Sequence, residues 1–330
     1  MKRRDLVVLA GAALVSPRAG RAQQTERVRR VGYLTPATGA PDNIFGVLQT
    51  RALVEGLREL GWADGRNITI EHRFAGDGRE RIRANAKELV ALNPDVIMGV
   101  GGPVLAALLA ETRTIPIVFS NVNDPVGGGF VASLARPGGN ATGVAVSEAP
   151  IAGKWVELLK EIAPGVTRVM VLMEADARPQ KLLADTVAAA ASSVGLNIVM
   201  GSVREVADYD REIETFAGEP GGGLVALSNT IIANNMERVH ALAARYRLPA
   251  VYSYPIYAKT GGLLSYGADN FALFHEVARY IDQILRGAKP GDLPVQQPTR
   301  FLLAVNLKTA KALGLSVSQS ILGRADEVIE

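Results

Sequence analysis

The sequence predicts an α/β fold made of two lobes, each built on a parallel sheet with helices on both faces. From Arg29 onward, short apolar runs rich in β-branched residues alternate with longer amphipathic stretches. Such strand–helix alternation is typical of parallel sheets. The alternation runs twice, and the two runs meet near residues 143–150. A chain of 330 residues with 48% hydrophobic content can bury a core in each lobe.

The elements of the first lobe follow from hydrophobic periodicity. Residues 31–34 read as a buried strand, and residues 45–60 predict a helix that stops at Gly61. The leucines that give this helix its spacing are Leu48, Leu53, Leu57 and Leu60. The remaining predicted elements are strands at 67–74, 95–100 and 115–120 and helices at 79–92 and 104–111.

The same periodicity defines the second lobe. Its strands are predicted at 169–173, 196–200, 224–227 and 250–252, and its helices at 154–162, 179–194, 209–216 and 234–246. A helix at 271–285 and a strand at 300–305 come after both runs, so we expect the lobes to share them.

Residues 1–22 have the organisation of a secretory signal peptide. Basic residues precede an apolar run at 6–15, and the small residues Gly20 and Ala22 predict cleavage near Ala22. The apolar run is half the length that a membrane span needs. The pair Arg3 and Arg4 fits the twin-arginine route, and the Sec route stays open. We therefore expect an exported protein.

Charge and cysteine content exclude several classes of protein. The chain carries a formal net charge of +3, but residues 1–22 hold five basic residues and one acidic residue, so the remainder carries −1. No bulk positive charge remains to attract nucleic acid or anionic lipid. The chain has no cysteine, which excludes disulfides, thiolate metal sites, cysteine nucleophiles and a cysteine-linked lipid anchor.

Ligands of open parallel sheets bind beyond the carboxyl ends of the strands, so the loops there form the candidate site. We expect these loops to begin at Thr35, Gly99, Ser120, Ser228, Ser253 and Tyr266. In one of them Gly101, Gly102 and Pro103 lead from a strand into a helix. The free N–H groups of such a turn bind carboxylate or phosphate, although a tight turn without a ligand explains the same residues.

Polar side chains in the other loops are candidate ligand contacts. Asn123 and Asp124 follow a strand, and Asp124 can pair with a ligand amine or cap a following helix. Asn229 and Thr230 can bind a ligand or act as ordinary N-cap residues. Thr35 ends the first strand and is expected at the same edge.

Three tyrosines within residues 252–257 are the candidate stacking wall for an apolar ligand body. Within this segment, we expect Ser253 and Tyr254 to contact the ligand. Phe45 and Tyr266 are expected to face the same cleft. Core packing beneath a loop is the alternative interpretation.

Catalytic chemistry has little support in the sequence. The three histidines, His72, His240 and His275, have no partner at a spacing typical of a metal motif. No Gly-x-Ser-x-Gly elbow is present. We expect a protein that is not an enzyme and that needs no metal or cofactor.

Residues 124–143, DPVGGGFVASLARPGGNATG, resemble a signature of the ABC transporter substrate-binding protein family, which includes tryptophan- and tyrosine-binding members. Residues 261–267 (GGLLSYG), 293–315 (LPVQQPTRFLLAVNLKTAKALGL) and 324–330 (RADEVIE) resemble later segments of the same family. The resemblance keeps the same order over roughly residues 28–330.

The resemblance implies a type I periplasmic-binding-protein fold, with two Rossmann-like lobes joined by three crossovers. It places residues 27–145 and 268–290 in the N-terminal lobe, and 146–267 and 291–330 in the C-terminal lobe. It also implies a monomeric periplasmic receptor that closes on a small solute and passes it to an ABC permease in the inner membrane.

The leading hypothesis is therefore a solute receptor for an amino acid or an aromatic or hydroxy acid. An exported sensor that docks on a membrane signalling protein would use the same two-lobed clamp, so the sequence does not separate the two. An exported hydrolase is disfavoured because no nucleophile–base set is present. A two-lobed repressor is excluded, since a signal peptide stands where its DNA-binding unit would be.

Overall fold

The structure, a computed structural model, describes residues 27–40, 43–76, 78–146, 149–175, 178–227 and 230–330. The predicted signal peptide and Asn229 lie outside these residues. Within the described ranges, no helix combines the length and the apolar character needed to cross a membrane.

A five-stranded sheet forms the base of the first lobe. Its strands are β1 (Arg29–Thr35), β2 (Ile68–Phe74), β3 (Val96–Val100), β4 (Ile117–Asn123) and β5 (Ala141–Val146). They lie in the order β2-β1-β3-β4-β5, and every pair is parallel. The helices of this part of the chain are α1 (Ile44–Glu59), α2 (Arg79–Ala91) and α3 (Gly102–Glu111).

A seven-stranded sheet forms the base of the second lobe. Its strands are β6 (Arg168–Glu174), β7 (Asn197–Val203), β8 (Gly222–Ala226), β9 (Ala250–Tyr252), β10 (Leu264–Ala268), β11 (Phe301–Asn306) and β12 (Glu327–Ile329). The order is β12-β11-β10-β9-β8-β6-β7, and only the β10–β11 pair is antiparallel among these described strands.

The remaining helices are α4 (Ala152–Ile162), α5 (Arg178–Ser193), α6 (Val206–Ala217), α7 (Thr230–Asn234), α8 (Met236–Arg245), α9 (Pro255–Lys259), α10 (Asn270–Leu285), α11 (Leu307–Leu313) and α12 (Gln319–Arg324). Short 3₁₀ turns lie at Ala149–Ile151 and Pro290–Asp292.

Each sheet has an apolar core on both faces. In the first lobe, α1 and α10 pack on one face with Val31, Val96 and Val118, while α2 and α3 pack on the other. In the second lobe, α4 and α5 cover one face, and α6 and α8 cover the opposite face. These layers confirm the predicted α/β fold of two lobes with mostly parallel sheets.

The chain passes between the lobes three times, which confirms the three-crossover arrangement. It leaves the first sheet after β5, and it returns after β10 to place α10 on the first lobe. It crosses again before β11, where Gln296 hydrogen-bonds to the backbone of Gly143 and Ala145 at 3.0 and 2.9 Å. The residue boundaries given above for the lobes stay predictions.

Two predicted elements need correction. The helix expected at 234–246 is shorter and corresponds to α8 (Met236–Arg245), while Asn234 ends α7. The two helices are separate because Asn235 leaves the helical conformation (φ −127°, ψ 26°) and its side chain donates to the carbonyl of Ile231 at 2.8 Å. The predicted spacing of the helix 45–60 is also wrong at Leu48, which is 40% exposed. The buried stripe of α1 runs instead through Gly46, Gln49, Ala52, Leu53, Gly56 and Leu57.

Candidate functional site

The two lobes touch across a cleft at the carboxyl ends of β1 and β8. Asn43 precedes α1 in the first lobe, and its side-chain nitrogen donates to Asn234 Oδ1 of α7 at 2.7 Å. Asn234 Nδ2 donates in turn to the carbonyl of Pro36 at 3.0 Å. Asn43 Oδ1 also accepts a hydrogen bond from Gly46 N at 2.8 Å, so one residue caps α1 and joins the lobes.

An aromatic contact crosses the cleft beside these hydrogen bonds. The ring of Phe45 lies 5.5 Å from that of Tyr254 and 5.7 Å from that of Tyr257, between ring centroids. Tyr252, Tyr254 and Tyr257 are buried in the core that packs under α6 and α8. The core-packing interpretation therefore describes these tyrosines better than a solvent-facing wall, and Phe45 is the ring that reaches them from the first lobe.

An ion pair forms a third contact between the lobes. Arg79 begins α2 and Glu174 ends β6, and their side chains approach to 3.6 Å. Together with the asparagine and aromatic contacts, it shows that the cleft is narrow in this structure.

The glycine turn after β3 has the backbone that the sequence predicts. Gly101 has φ 86° and ψ 159°, a conformation that side-chain-bearing residues rarely adopt. Its N–H donates to the carbonyl of Ser120 at 2.8 Å. Helix α3 then begins at Gly102 with Pro103 in its first turn and with no side-chain cap from the described residues. The first turn of α3 therefore offers N–H groups and the positive end of the helix dipole.

Asp124 closes a turn and does not cap a helix. Its backbone is left-handed (φ 44°), and Oδ1 accepts a hydrogen bond from Gly127 N at 2.8 Å. The residues that follow it are turns, so the helix considered in the sequence analysis is absent from this described segment. The carboxylate is exposed at the end of β4, beside the half-buried Asn123.

The other predicted site residues have different surroundings. Thr35 is buried, and its Oγ1 accepts a hydrogen bond from Ala37 N at 3.2 Å. Ser253 is buried after β9. Tyr266 belongs to the crossover region, where its ring stacks on Phe301 at 6.1 Å and its carbonyl accepts from Trp155 Nε1 at 2.6 Å. Thr230 begins α7.

Two buried polar residues of the first lobe, Gln49 and Ser120, stand outside the predicted set of ligand contacts. Gln49 is 4% exposed and Ser120 is fully buried, and neither Gln49 Nε2 nor Ser120 Oγ has a hydrogen-bond partner among the described residues. A sequence signal did exist for Gln49, because it stands three residues after Gly46 and three before Ala52, on the stripe that faces the core.

Burial disfavours the charged form of two histidines. It lowers the pKa of His240 to about 4, and the ring donates from Nδ1 to the carbonyl of Thr260 at 3.2 Å. Burial also lowers the pKa of His72, whose ring meets Tyr33 edge-on at 5.4 Å. The described residues contain no group of three or more acidic or histidine side chains placed to hold a metal ion.

Residues 47–329 match the family model of the ABC transporter substrate binding protein, so the chain belongs to that family. A Tyrosine-binding protein from Clostridioides difficile is 26% identical over 265 residues, covering 80% of this chain and 76% of the relative. The family and this relative are substrate-binding proteins.

Two solved structures share the fold. An ABC domain from Streptococcus pneumonia in complex with L-Trp is 26% identical and superposes with a TM-score of 0.83, covering 91% of this chain and 99% of that one. A conserved domain protein from Vibrio cholerae is 28% identical with a TM-score of 0.84, covering 92% and 100%. The chain is thus a substrate-binding protein of the ABC transporter class, built from two α/β lobes.

Proposed function

We propose that this chain binds a small carboxylate-bearing solute in the cleft and delivers it to an ABC permease in the inner membrane. The observation that carries the proposal is the bare first turn of α3 at Gly101, Gly102 and Pro103. Helix N-termini without a side-chain cap favour anions, because their N–H groups and dipole point outward. An amino acid or an aromatic or hydroxy acid has the required carboxylate.

Ligand contacts from both lobes would couple binding to closure. The first lobe would contribute Thr35, Phe45, the Gly101–Pro103 turn and the pair Asn123 and Asp124. The second lobe would contribute Asn229, Thr230, Ser253, Tyr254 and Tyr266. A solute that touches both sets favours the closed state through contacts that the open state lacks.

The relatives support an aromatic amino acid as the first solute to test. One is a tyrosine-binding protein, and one solved structure holds L-Trp. The ring of Phe45 stands half-buried at the cleft and offers an apolar face to such a solute.

Exposed apolar residues support a membrane partner. Ile44, Val47, Leu48 and Phe271 are exposed on the first turns of α1 and α10. Single-chain soluble proteins rarely expose large apolar side chains in groups, and such groups often mark protein contacts. We assign this surface to the permease, and we place the protein in the periplasm on the basis of the predicted signal peptide at 1–22.

A thermal-shift screen against amino acids, aromatic acids, hydroxy acids and sugars tests the proposal. Ligand at about 100 times its Kd should stabilise the protein by roughly 2.7 kcal/mol, which raises Tm by several degrees. A shift confined to carboxylate-bearing probes supports the proposal. A shift with neutral sugars alone would overturn the carboxylate assignment.

A further inference from the structure

One row of residues crosses the first sheet at its carboxyl edge. The register pairs Leu34 with Gly99 and Val100 with Ser120, so Thr35, Val100 and Ser120 are consecutive neighbours across β1, β3 and β4. Residues two apart on a strand share a face, and Tyr33, Met98 and Val118 belong to the core under α1 and α10. Thr35 and Ser120 therefore face α1 and α10, with their Cα atoms about 10 Å apart at ordinary strand spacing.

A bulge in β4 presents a second polar side chain beside Ser120. The pairing of β4 with β5 shifts between Phe119 and Val122, and both of these residues pack into the opposite core with α3. Ser120 and Asn121 fill the interval, and Asn121 takes a left-handed backbone (φ 54°). The extra residue breaks the strict alternation of side chains and directs polar groups from consecutive positions toward one region.

Helices α1 and α10 run in the same direction over this row. A Cβ on Gly56 would lie 2.9 Å from Ala278 Cβ, and further along Arg286 donates to the carbonyl of Leu60 at 3.4 Å. About two turns before the Gly56–Ala278 contact, α1 reaches Gln49 and α10 reaches Asn270. These two amides therefore lie at the same level, close to where each helix begins.

Polar atoms in this region lack hydrogen-bond partners among the described residues. They include Gln49 Nε2, Ser120 Oγ, Asn121 Oδ1, and both Nδ2 and Oδ1 of Asn270. Buried donors and acceptors without partners cost free energy and are rare in folded proteins. Four such side chains on α1, α10 and β4 therefore indicate a binding site whose ligand would supply the missing hydrogen bonds.

The chemistry of this set is uncharged. It consists of three amides and one hydroxyl, which supply both donors and acceptors. The carboxylate of Asp269, which precedes Asn270 in the sequence, is already engaged. Its Oδ1 accepts from Phe271 N and Ala272 N at 3.1 and 3.2 Å, and its Oδ2 pairs with Arg300 at 3.5 Å. Asp269 also occupies the positive end of α10, so this helix does not attract a further anion.

We propose that Gln49, Ser120, Asn121 and Asn270 form an amide pocket that binds an uncharged hydrogen-bonding group of the solute, such as a phenol hydroxyl or a carboxamide. The inference rests on the proposed function, in which the first turn of α3 takes the carboxylate. The two sites together select a solute with an acid at one end and a neutral polar group at the other.

Titration calorimetry with matched probes tests the pocket. L-tyrosine and L-phenylalanine differ by one hydroxyl, L-glutamine and L-glutamate differ by a charge, and 4-hydroxybenzamide has neutral groups without a carboxylate. The variants are Gln49→Met and Ser120→Ala. Thr142→Val is the matched control, since Thr142 is an equally buried strand hydroxyl that donates to the carbonyl of Leu293 at 2.6 Å.

The wild-type protein should bind the neutral polar member of at least one acid pair tenfold or more tightly than its partner. Gln49→Met and Ser120→Ala should reduce that preference at least fivefold without lowering Tm, because they remove atoms that have no partner in the empty protein. Thr142→Val should lower Tm and keep the preference.

Three results separate the pocket from the proposed function. If the acids bind and both variants keep the wild-type preference, the pocket is overturned and the function stands. If 4-hydroxybenzamide binds in a manner that depends on Gln49 while no acid binds, the pocket stands and the carboxylate function falls. If no probe binds, both are overturned.

Discussion

Asn43 and Asn234 are separated by 191 positions in the sequence, and a 2.7 Å hydrogen bond between their side chains joins the two lobes. The same Asn234 amide reaches the carbonyl of Pro36 at 3.0 Å. Both bonds connect groups on opposite sides of the cleft, so opening the cleft must break them. Their free energy therefore belongs to the closed state alone and adds to the apparent affinity for any solute that requires closure.

Asn234→Ala should weaken solute binding by up to about tenfold, since two hydrogen bonds of the closed state contribute about 1–2 kcal/mol together. Titration calorimetry with the solute found in the screen gives the affinity, and small-angle scattering of the empty protein should show a larger radius of gyration. Asn235→Ala is the matched control because Asn235 bonds only within its lobe, to Ile231, in the contacts described above. Equal affinities for the two variants would contradict the role of Asn234.

Phe45→Ala should weaken binding by a factor of about 2–10, because each aromatic pair contributes about 0.5–1.5 kcal/mol beyond its buried area. The loss arises from the contacts with Tyr254 and Tyr257 across the cleft. Phe271→Ala removes an exposed ring of the same size and should leave affinity unchanged. Fluorescence titration measures both, and a loss that is equal in the two variants would argue against a cleft contact.

Gly101→Ala and Gly102→Ala should separate folding from anion binding. A side chain at Gly101 meets an unfavourable backbone conformation (φ 86°), so the first variant should lose about 1–3 kcal/mol of stability. Among the described residues, a Cβ at Gly102 would have Phe130 as its neighbour, at 4.0 Å, so the second variant should keep its Tm. That Cβ stands on the first turn of α3, where it should reduce the affinity for carboxylates. Unchanged affinity in Gly102→Ala would place the anion elsewhere.

Asp124 can act through its charge or through its turn, and two substitutions distinguish these roles. Asp124→Asn keeps an oxygen that can accept from Gly127 N, whereas Asp124→Ala removes the acceptor of that 2.8 Å bond. If Asp124 pairs with a ligand amine, both variants should weaken binding of L-amino acids more than tenfold. If it only closes the turn, Asp124→Ala alone should lower Tm, with affinity unchanged in both. Calorimetry and thermal unfolding read the two effects independently.

His240 should make the protein less stable in acid. Burial holds its pKa at about 4 in the folded state, against an ordinary value of 6.5. As the pH falls below 6.5, His240 binds a proton in the unfolded chain but stays unprotonated in the folded protein. The free energy of unfolding therefore declines until about pH 4. The full loss is roughly 3 kcal/mol.

His240→Phe removes this titration and keeps a ring beside Tyr252, whose centroid lies 5.0 Å from that of His240. Urea unfolding at pH 7 and pH 4 should show a smaller loss of stability for the variant than for the wild-type protein. Parallel pH profiles would assign the acid sensitivity to other groups.

The fold could be predicted because the hydrophobic pattern of most strands and helices is visible in the sequence. At β3 and α2, for example, the observed bounds lie within a residue of the predicted ones. The faces of helices were harder to predict. Leucine spacing assigns Leu48 to the buried face, yet packing of α1 against α10 turns Leu48 outward and buries Gln49. Gly56 allows this close approach, because a Cβ there would lie 2.9 Å from Ala278 Cβ of α10, and hydrophobicity alone carries no information about it.

Within the candidate site, the sequence predicted the backbone of the turn at Gly101, where a local rule applies. The environments of the side chains were harder to predict. The strand–glycine–helix pattern places the Gly101 turn correctly, because its geometry follows from local sequence. No such rule decides whether the tyrosines within residues 252–257 lie in the core or in a binding site, since a tyrosine side chain suits both environments. The bulge at Ser120 and Asn121 depends on pairing with β5, which lies 20 residues further along the chain and has no local signal.

The interleaving of the chain has a consequence for its biosynthesis. The strands of the first sheet end at Val146, but the helix that seals one of their apolar faces, α10, spans Asn270–Leu285. The second sheet receives β11 and β12 later still. Neither lobe can mature while the chain is being synthesised, because each needs a segment made after most of the other. A nascent chain therefore keeps apolar strand faces uncovered until α10, β11 and β12 have been made, and such uncovered faces are prone to aggregation.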